Sequence, residues 1–324
     1  MVAVTIEDIA SARERVRPVI RRTPLAFTHA LSGRLGGEVF LKPEMLQRTG
    51  SFKLRGAYNL IAELPAGERA RGVIAASAGN HAQGVAVAAS LAGTPATVVM
   101  PETAPDTKID ACRAYGAEVI LHGTHFAAAK ELALILQRER GLILVPGYDD
   151  ERIVAGQGTI GLEILDELPD VDIVVVPVGG GGLIAGIVVA IKARLPRARV
   201  VGVQAENAAA VVASLAAGAP VTLQLGPTLA DGTAVERPGE VPFALIQRYV
   251  DDVVTVSEAD IRRAMVALLG RAKLVAEGAG ALALAATLSG RVDVAGKRVA
   301  LVLSGGNVDL DVLGEICLQE SQAG

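Results

Sequence analysis

IVVVPVGGGGLIAGIVVAI, residues 173–191, contains no charged side chain and is long enough to resemble a membrane-spanning helix. Pro177 and the run from Gly179 to Gly182 interrupt it in the middle, where they would break such a helix. A buried parallel strand, a tight loop and a buried helix account for the stretch better. The stretch therefore predicts an α/β fold.

The same alternation of apolar strand-like runs and helical patterns extends along the chain and predicts parallel sheets covered on both faces. With 324 residues, the chain is too long for one small core. The predicted fold class is α/β, with two doubly wound domains and largely parallel sheets. Strands are predicted at residues 39–41, 72–76, 96–100, 118–121, 142–145, 173–176, 200–203 and 299–303. Helices are predicted at residues 54–63, 82–91, 108–115, 126–138, 158–168, 183–193, 258–273 and 279–288, and surface loops near the cleft at 218–242.

Composition and charge exclude several classes of function. The net charge of −4 is spread along the chain, which leaves no basic stripe for nucleic acid and no polybasic patch for a membrane. Cys112 and Cys317 are too few for a disulfide framework or a zinc site and fit a reducing compartment. Residues 1–15 carry three acidic side chains and lack the apolar core of a secretory signal. We therefore expect a cytoplasmic protein with a small-molecule substrate.

The glycine run has three interpretations. Gly180-x-Gly182-x-x-Ala185 after a strand matches the dinucleotide fingerprint, and Glu206 lies at a spacing suited to a ribose contact. An NAD-dependent oxidoreductase is therefore one candidate. Successive N–H groups at a helix N-terminus would bind the phosphate of pyridoxal phosphate equally well. A tight turn without a ligand is the third interpretation.

A second stretch, SFKLRGA at residues 51–57, places Lys53 between an aromatic residue and a polar, turn-prone run. Most lysines lie on solvated surfaces. A lysine that is partly neutral and close to an aldehyde cofactor forms a Schiff base with it. Two more segments stand out: SAGNHAQG at residues 77–84, after an apolar strand, and LSGGN at residues 303–307. Four such signals in one chain are far harder to produce by chance than any one of them.

These four segments together resemble the pyridoxal-phosphate enzymes of the tryptophan-synthase-like class, fold type II, and most closely the short, degradative threonine dehydratases. The resemblance extends from residue 23 to Asp309. It implies a cofactor in the cleft between a large domain, residues 1–53 and 148–324, and a small domain, residues 54–147, inserted into it. Lys53 would then lie at the domain junction, where ligand clefts commonly form.

The resemblance implies a role for each motif. Lys53 would bond to the aldehyde of pyridoxal 5'-phosphate and act as the catalytic base, and Phe52 would pack against the pyridine ring. Asn80 would donate a hydrogen bond to the ring oxygen, and Ser304 would face the pyridine nitrogen. The phosphate would be bound by Gly179, Gly180, Gly181, Gly182 and Leu183. The simpler alternatives are a core phenylalanine, an asparagine helix N-cap and a turn serine.

The second segment would bind the carboxylate of the substrate through backbone amides at a helix N-terminus. Its residues are Ser77, Ala78, Gly79, Asn80 and His81. His81 is an acid–base candidate by residue type, although the helix start alone explains its position. Glu277 matches a family position near the cofactor, with a helix-start carboxylate as the alternative. Asp231 and Gly232 match a family loop near the active site, or form a plain turn.

Two departures from the related serine racemases narrow the function. Those enzymes carry a proton-donating serine where this chain has Ala78, so racemisation is disfavoured. They also bind a divalent cation through a glutamate and a nearby aspartate. Glu206 is present here, but residues 207–212 supply no carboxylate, and hard cations need several oxygen ligands. We therefore expect no Mg²⁺ or Ca²⁺ site of that kind.

The predicted function is a threonine/serine dehydratase that eliminates the β-hydroxyl to give 2-oxobutanoate or pyruvate and ammonia. A neutral Ser304 at the pyridine nitrogen would weaken the electron sink, which suits β-elimination. The alternatives are a serine racemase-like or 3-hydroxyaspartate lyase, an NAD-dependent oxidoreductase, and an amino-acid sensor without turnover. By resemblance we expect a homodimer or homotetramer, and no C-terminal regulatory domain because the chain stops soon after Ser304.

Overall fold

Strands and helices alternate along the chain in the computed structural model, which describes residues 4–323. The helices are α1 Ile6–Val16, α2 His29–Leu35, α3 Lys53–Glu63, α4 Ala66–Arg71, α5 Asn80–Leu91, α6 Asp106–Ala114, α7 Phe126–Arg140, α8 Glu151–Glu167, α9 Gly182–Arg194, α10 Ala210–Ala217, α11 Glu240–Tyr249, α12 Glu258–Ala267, α13 Gly278–Leu288 and α14 Leu310–Ala323. The strands are β1 Ala26–Phe27, β2 Glu38–Pro43, β3 Val73–Ala76, β4 Ala96–Met100, β5 Glu118–Leu121, β6 Ile143–Leu144, β7 Ile173–Pro177, β8 Arg199–Ala205, β9 Asp252–Val256 and β10 Arg298–Leu303.

The strands form two sheets. The six-stranded sheet has the order β1-β2-β10-β7-β8-β9, and only the edge strand β1 runs antiparallel to its neighbour. The four-stranded sheet has the order β5-β4-β3-β6 and is entirely parallel. The predicted fold class, α/β with two doubly wound and largely parallel sheets, is confirmed.

The smaller sheet comes from a segment between two strands of the larger one. The chain leaves the larger sheet after β2, forms β3 to β6, and returns with β7. The small domain proposed for residues 54–147 follows this division of the strands. Its exact boundaries stay a prediction.

The stretch at residues 173–191 forms the predicted strand, loop and helix. Strand β7 is buried along its whole length, and α9 is buried from Gly182 to Ile191. Glycines let α9 approach α8 closely, since a Cβ added at Gly161 would lie 2.8 Å from the Cβ of Ala190. No helix among residues 4–323 is long and apolar enough to cross a membrane.

Several predicted element boundaries were wrong. Helix α8 begins at Glu151 rather than at residue 158, and the Asp150 side chain caps it by accepting a 2.8 Å hydrogen bond from the Arg152 N–H. Three glycines in this helix are weak helix formers and weaken its pattern in the sequence. They are Gly156, Gly158 and Gly161.

The helix predicted at residues 258–273 ends early. Helix α12 stops at Ala267, a π-helical turn covers Leu268–Ala272, and Lys273 adopts a left-handed conformation with φ of 60°. The predicted loop at residues 218–242 also differs at its end, because α11 begins at Glu240. Within the described residues, eight elements have no counterpart among the predicted ones: helices α1, α2, α4, α10, α11 and α14 and strands β1 and β9.

A buried charge network holds α3 in place. The Arg55 guanidinium donates to both carboxylate oxygens of Glu44, each at 2.8 Å, and to both oxygens of Glu163, at 2.7 and 2.9 Å. Lys42 donates to Glu163 at 2.6 Å and to the Thr23 carbonyl oxygen at 2.6 Å. All four charged side chains are almost completely buried. The network connects α3 to β2, to the turn that follows β2, and to α8.

The network has two positive and two negative members, so it carries no net charge. Burial would lower the pKa of Arg55, but Glu44 and Glu163 outweigh it and raise that pKa. Burial would likewise raise the pKa of Glu163, but Arg55 and Lys42 lower it. Arg55 and Glu163 are therefore stable in their charged forms. Arg55 lies only two residues after Lys53 on the same helix.

Candidate active site

A cavity lies at the carboxyl ends of β7 and β10, where the following loops meet the first turns of α3, α5 and α13. Ligand sites in parallel sheets commonly occupy this position. The predicted residues that line it are Phe52, Lys53, Asn80, Gly179, Gly180, Gly181, Gly182, Leu183, Glu277 and Ser304. The fold thus brings together all four sequence segments that carried the resemblance, although the substrate loop contributes only Asn80 to the lining.

Lys53 is the first residue of α3, and its side chain is half-buried at the cavity. Its Nζ donates a 2.9 Å hydrogen bond to the Gly147 carbonyl oxygen and lies 5.2 Å from the centre of the Phe52 ring. Burial lowers the pKa of Lys53 to about 8, although the charge of Glu277 opposes the shift. Neutral amine is therefore present near neutral pH, as bond formation with an aldehyde requires.

Phe52 and Ser304 connect the start of α3 to the end of β10. The Phe52 N–H donates a 3.2 Å hydrogen bond to the Ser304 carbonyl oxygen, and Ser51 pairs with Gly305 in an isolated antiparallel bridge. Ser304 is buried against the cavity. The Phe52 ring both lines the cavity and packs on the hydrophobic core, so its two proposed roles are compatible.

The glycine run leaves several backbone donors free. Within residues 4–323, the N–H groups of Gly179, Gly180 and Gly181 find no protein acceptor. Gly181 has φ of 97°, a left-handed conformation that a side chain would strain, and it precedes α9. Free N–H groups at a helix N-terminus form an anion site. A Cβ at Gly180 would clash with the ring of Tyr148, so this position is also closely packed.

A chain of side-chain amides crosses the cavity wall. Asn307 Nδ2 donates to the Thr49 carbonyl oxygen at 2.8 Å and to Asn80 Oδ1 at 2.7 Å. Asn80 Nδ2 then donates to Glu277 Oε1 at 2.6 Å. The N-cap of α5 is Gly79, so Asn80 is the first helical residue rather than the cap. These hydrogen bonds fix the orientation of the Asn80 amide: Oδ1 points towards Asn307 and Nδ2 towards Glu277.

Glu277 is a buried carboxyl at the N-cap of α13. Burial raises the pKa of Glu277 to about 7, with a further increase from Asp231. Hydrogen bonds from Asn80 and from the Asn307 backbone, together with the charge of Lys108, oppose that shift. Glu277 therefore changes its proton occupancy near neutral pH, which the sequence alone did not predict.

The substrate loop begins where β3 ends. The Gly79 N–H donates to Ser77 Oγ at 3.2 Å, and the Ser77 N–H donates to the Val99 carbonyl oxygen at 3.1 Å. Among the described residues, no acceptor faces the N–H groups of Ala78, Asn80 and His81. Three free donors at the start of a helix suit a carboxylate.

His81 is buried, and its Nε2 lies 2.8 Å from the Val145 carbonyl oxygen. A carbonyl oxygen only accepts, so Nε2 carries the proton and donates. Burial, together with the positive charge of Lys53, lowers the pKa of His81 to about 3. His81 is therefore neutral at physiological pH, which favours a structural role over acid–base chemistry.

Several residues of the cavity wall were not singled out from the sequence. They are Gly147, Tyr148, Gln157, Pro177, Thr233, Val235 and Ala279. Gln157 projects from α8 and accepts a 3.2 Å hydrogen bond from the Gly56 N–H of α3. Gly232 lines the cavity and also belongs to the 3-10 turn Asp231–Thr233. The two interpretations of this segment, a turn and a loop near the active site, are therefore compatible. The other residues form no recognisable pattern.

No group of three or more His, Cys, Asp or Glu side chains within residues 4–323 is arranged to hold a metal ion. Glu206 lies in the short turn Glu206–Ala208 after β8. The expected absence of a divalent cation site stays a prediction.

The residues present fit pyridoxal phosphate. The free N–H groups of the glycine run suit its phosphate, and the partly neutral Lys53 suits its aldehyde. Asn80 offers amide donors and Ser304 a hydroxyl, and both border the same cavity as Lys53. Polar groups of these types at a cavity wall match the chemistry of the cofactor.

Comparisons with known proteins agree with this fit. Residues 16–305 match the family described as pyridoxal-phosphate dependent enzymes. The L-threonine ammonia-lyase of Thermotoga maritima is 53% identical over 313 residues, which cover 97% of this chain and 78% of that protein. The catabolic L-threonine dehydratase of Escherichia coli is 48% identical over 316 residues, covering 97% of this chain and 96% of that protein.

A solved structure shows the same fold. Maize serine racemase superposes with a TM-score of 0.93 at 33% sequence identity, and the match covers 99% of each chain. The matched part of this chain includes both sheets.

Proposed function

The chain belongs to the family of pyridoxal-phosphate-dependent enzymes, and on that premise we propose that it is an L-threonine ammonia-lyase that also accepts L-serine. It converts L-threonine into 2-oxobutanoate and ammonia, and L-serine into pyruvate and ammonia. The observation that carries the proposal is near 50% identity, over almost the whole chain, to relatives named for threonine. The lysine-bearing cavity supplies the chemistry that this reaction needs.

Pyridoxal phosphate, when bound, supplies an aldehyde for amines and a pyridine ring that withdraws electrons from the α-carbon of the substrate. Lys53 is proposed to hold it through Nζ and to remove the α-proton at the same atom. The lowered pKa of Lys53 favours both tasks, because both need the neutral amine. The free N–H groups of Gly179, Gly180 and Gly181 are proposed to bind its phosphate.

The substrate is proposed to lie against the start of α5. The N–H groups of Ala78, Asn80 and His81 would bind its carboxylate and so orient the α-proton towards Lys53. Asn80 and Ser304 are proposed to hold the ring by hydrogen bonds, and Phe52 to pack beside it. Ala78 has no proton to give to the opposite face of the α-carbon, which favours elimination over racemisation.

The test is the visible absorption spectrum of the purified protein before and after L-threonine is added, with 2-oxobutanoate measured in parallel. We expect a yellow band that shifts as 2-oxobutanoate accumulates. Lys53→Ala should lower turnover by at least about 10³-fold, since it removes both the covalent attachment and the base.

Other outcomes point to the alternatives. A protein that stays colourless with pyridoxal phosphate but binds a nicotinamide cofactor would return the glycine run to the dinucleotide interpretation. A coloured protein without turnover would be a sensor. Efficient formation of D-serine would favour a racemase, to which the fold is similar.

We further propose a cytoplasmic homodimer or homotetramer. The last described helix, α14, supports self-association, because its Leu310 and Leu318 side chains are 82% and 63% exposed. The two free cysteines, Cys112 and Cys317, suit a reducing compartment. Sedimentation analysis and cell fractionation test the two proposals, and a monomer at micromolar concentration would contradict the first.

A further inference from the structure

A second cavity of about 190 Å³ lies beside the catalytic one. Its polar wall is formed by Lys108 of α6, by Asp231, and by Asn307 and Asp309 after β10. Apolar side chains of α12 and α14 close the other side. Asp231 and Asp309 are exposed, so this cavity reaches the protein surface.

Glu277 separates the two cavities. Among residues 4–323 it is the one residue that lines both of them. Its Oε1 accepts a 2.6 Å hydrogen bond from Asn80 on the catalytic side, and Asn307, which donates to Asn80, lines the second cavity. Only 5% of the residue is exposed, so these contacts hold the carboxyl in place.

This inference rests on the elimination proposed above. That reaction needs a group at the active site that accepts a proton from the substrate. Free L-threonine carries an ammonium, and its nitrogen must lose a proton before it can bond to carbon. A proton left in the cavity would convert the Lys53 amine into an ammonium. The proton therefore has to leave by a route other than Lys53.

We propose that Glu277 is the proton-transfer residue of this site: its carboxylate takes the proton of the substrate ammonium and passes it to water in the second cavity. In the first step an N–H bond breaks and an O–H bond forms at Glu277. In the second step that O–H bond breaks and a hydronium ion forms, which bulk solvent neutralises. The carboxylate is restored, and no other reactant is consumed.

Charged groups from four parts of the chain face Glu277. Lys53 lies on the catalytic side, and Lys108, Asp231 and Asp309 line the second cavity. The raised pKa of Glu277, about 7, lets it both accept and release a proton near neutral pH. Because Asp231 raises this pKa and Lys108 lowers it, two residues at the rim can shift it in opposite directions.

The experiment has a readout that is independent of turnover. Protein without cofactor is labelled with ¹³C at the glutamate side-chain carboxyls, and the signal that Glu277→Gln removes is followed against pH by NMR. We expect its midpoint near neutrality, lower in Asp231→Asn and higher in Lys108→Met. Asp110→Asn, an exposed charge change on the same helix as Lys108, should leave the midpoint unchanged.

The same variants are then assayed as holoenzymes. The acid limb of kcat/KM for L-threonine should move to lower pH in Asp231→Asn and to higher pH in Lys108→Met. Glu277→Gln should lose this limb and about 10²-fold in kcat/KM. Circular dichroism excludes misfolding, and the two rim variants keep the test decisive if Glu277→Gln fails to fold.

Two results would overturn the proposal: a Glu277 midpoint at its ordinary acidic value, or an acid limb that stays fixed while the NMR midpoint moves. Failure of the proposed function looks different. In that case L-threonine yields no 2-oxobutanoate in the wild-type holoenzyme, whatever the NMR titration shows.

Discussion

Burial sets the protonation of single residues at this site. Desolvation disfavours the charged form of a group, so it lowers the pKa of an amine and raises that of a carboxyl. It brings the pKa of Lys53 to about 8 and that of Glu277 to about 7. Two groups that ordinarily titrate far apart therefore both exchange protons close to physiological pH.

His81→Gln tests the neutral histidine. The pKa of His81 falls from 6.5 to about 3 on folding, so the unfolded chain binds a proton that the native protein does not. Stability should therefore fall as pH falls from 6.5 towards 3, by about 2 kcal/mol at roughly pH 5. The glutamine can still donate to the Val145 carbonyl oxygen and has no proton to gain. Thermal unfolding should show a smaller loss at low pH in the variant, with kcat of the same order as the wild type.

Two outcomes would refute this view of His81. An equal loss of stability in both proteins would mean that the native histidine binds its proton normally. A fall in kcat of about 10²-fold or more would restore the acid–base role.

Residue motifs predicted part of the cavity wall. Lys53 and Asn80 stand in segments whose local pattern is itself informative, and the cavity does contain them. Tyr148 and Thr233 carry no such pattern, because only tertiary packing brings the segment after β6 and the turn after residue 230 to the glycine run. The pKa shifts were likewise hidden, since they depend on the burial of each group.

At the scale of elements, the loop between β7 and α9 has little spare space. Tyr148 lies against it, and a Cβ at Gly182 would be 3.1 Å from the Cα of this tyrosine. A Cβ at Gly179 would be 3.0 Å from the Cα of Thr233. The glycines therefore serve packing as well as the proposed phosphate contact.

Gly180→Ala should weaken cofactor binding. The new methyl group would push the Tyr148 ring away and tilt the loop, at a cost of about 1–3 kcal/mol, which corresponds to roughly 5- to 150-fold in affinity. Equilibrium titration of cofactor-free protein with pyridoxal phosphate measures the change. The double variant Gly180→Ala/Tyr148→Ala should recover part of the loss, whereas no recovery would mean that the clash is not the cause.

Helix α3 depends on its buried ion network. Removing one partner of a buried pair leaves an uncompensated charge in the interior. Arg55→Met would leave Glu44 and Glu163 facing each other with only Lys42 nearby, so we expect a loss of about 3–5 kcal/mol in the free energy of unfolding. Denaturant unfolding at neutral pH measures it.

The matched control is Arg140→Met. Arg140 pairs with Glu118 at 2.9 Å, but both side chains are about half exposed, so its loss should cost less than about 1 kcal/mol. Similar losses in the two variants would show that burial does not decide the strength of these pairs.

Apolar runs predicted some strands to the residue, whereas helix ends were less predictable. Strands β4 and β5 both have the predicted bounds, although only β4 is buried along its whole length and β5 is a partly exposed edge strand. The start of α8 was missed, because glycines that allow close packing on α3 and α9 weaken the helical pattern. The end of α12 was missed because the periodic pattern continues through the π-helical turn Leu268–Ala272.

At the scale of the whole molecule, the proposed site joins two sheets. The glycine run follows β7 of the larger sheet, and Asn80 begins the helix after β3 of the smaller one. Alternation of strands and helices predicts that parallel sheets exist, but it does not predict strand order. The insertion of one sheet between two strands of the other was therefore suggested only by the family resemblance.

A ligand that contacts residues next to both sheets should stabilise the whole protein. Pyridoxal phosphate at about 100 times its dissociation constant should add about 2.7 kcal/mol to the free energy of unfolding, a rise on the order of 5 °C in Tm. Pyridoxal, which lacks the phosphate, should give a smaller rise at equal concentration, because it leaves the N–H groups of Gly179, Gly180 and Gly181 without an acceptor. Calorimetry of the cofactor-free protein with each compound measures both shifts. Equal shifts would show that the glycine run does not bind the phosphate, and they would return this loop to the role of a tight turn between strand and helix.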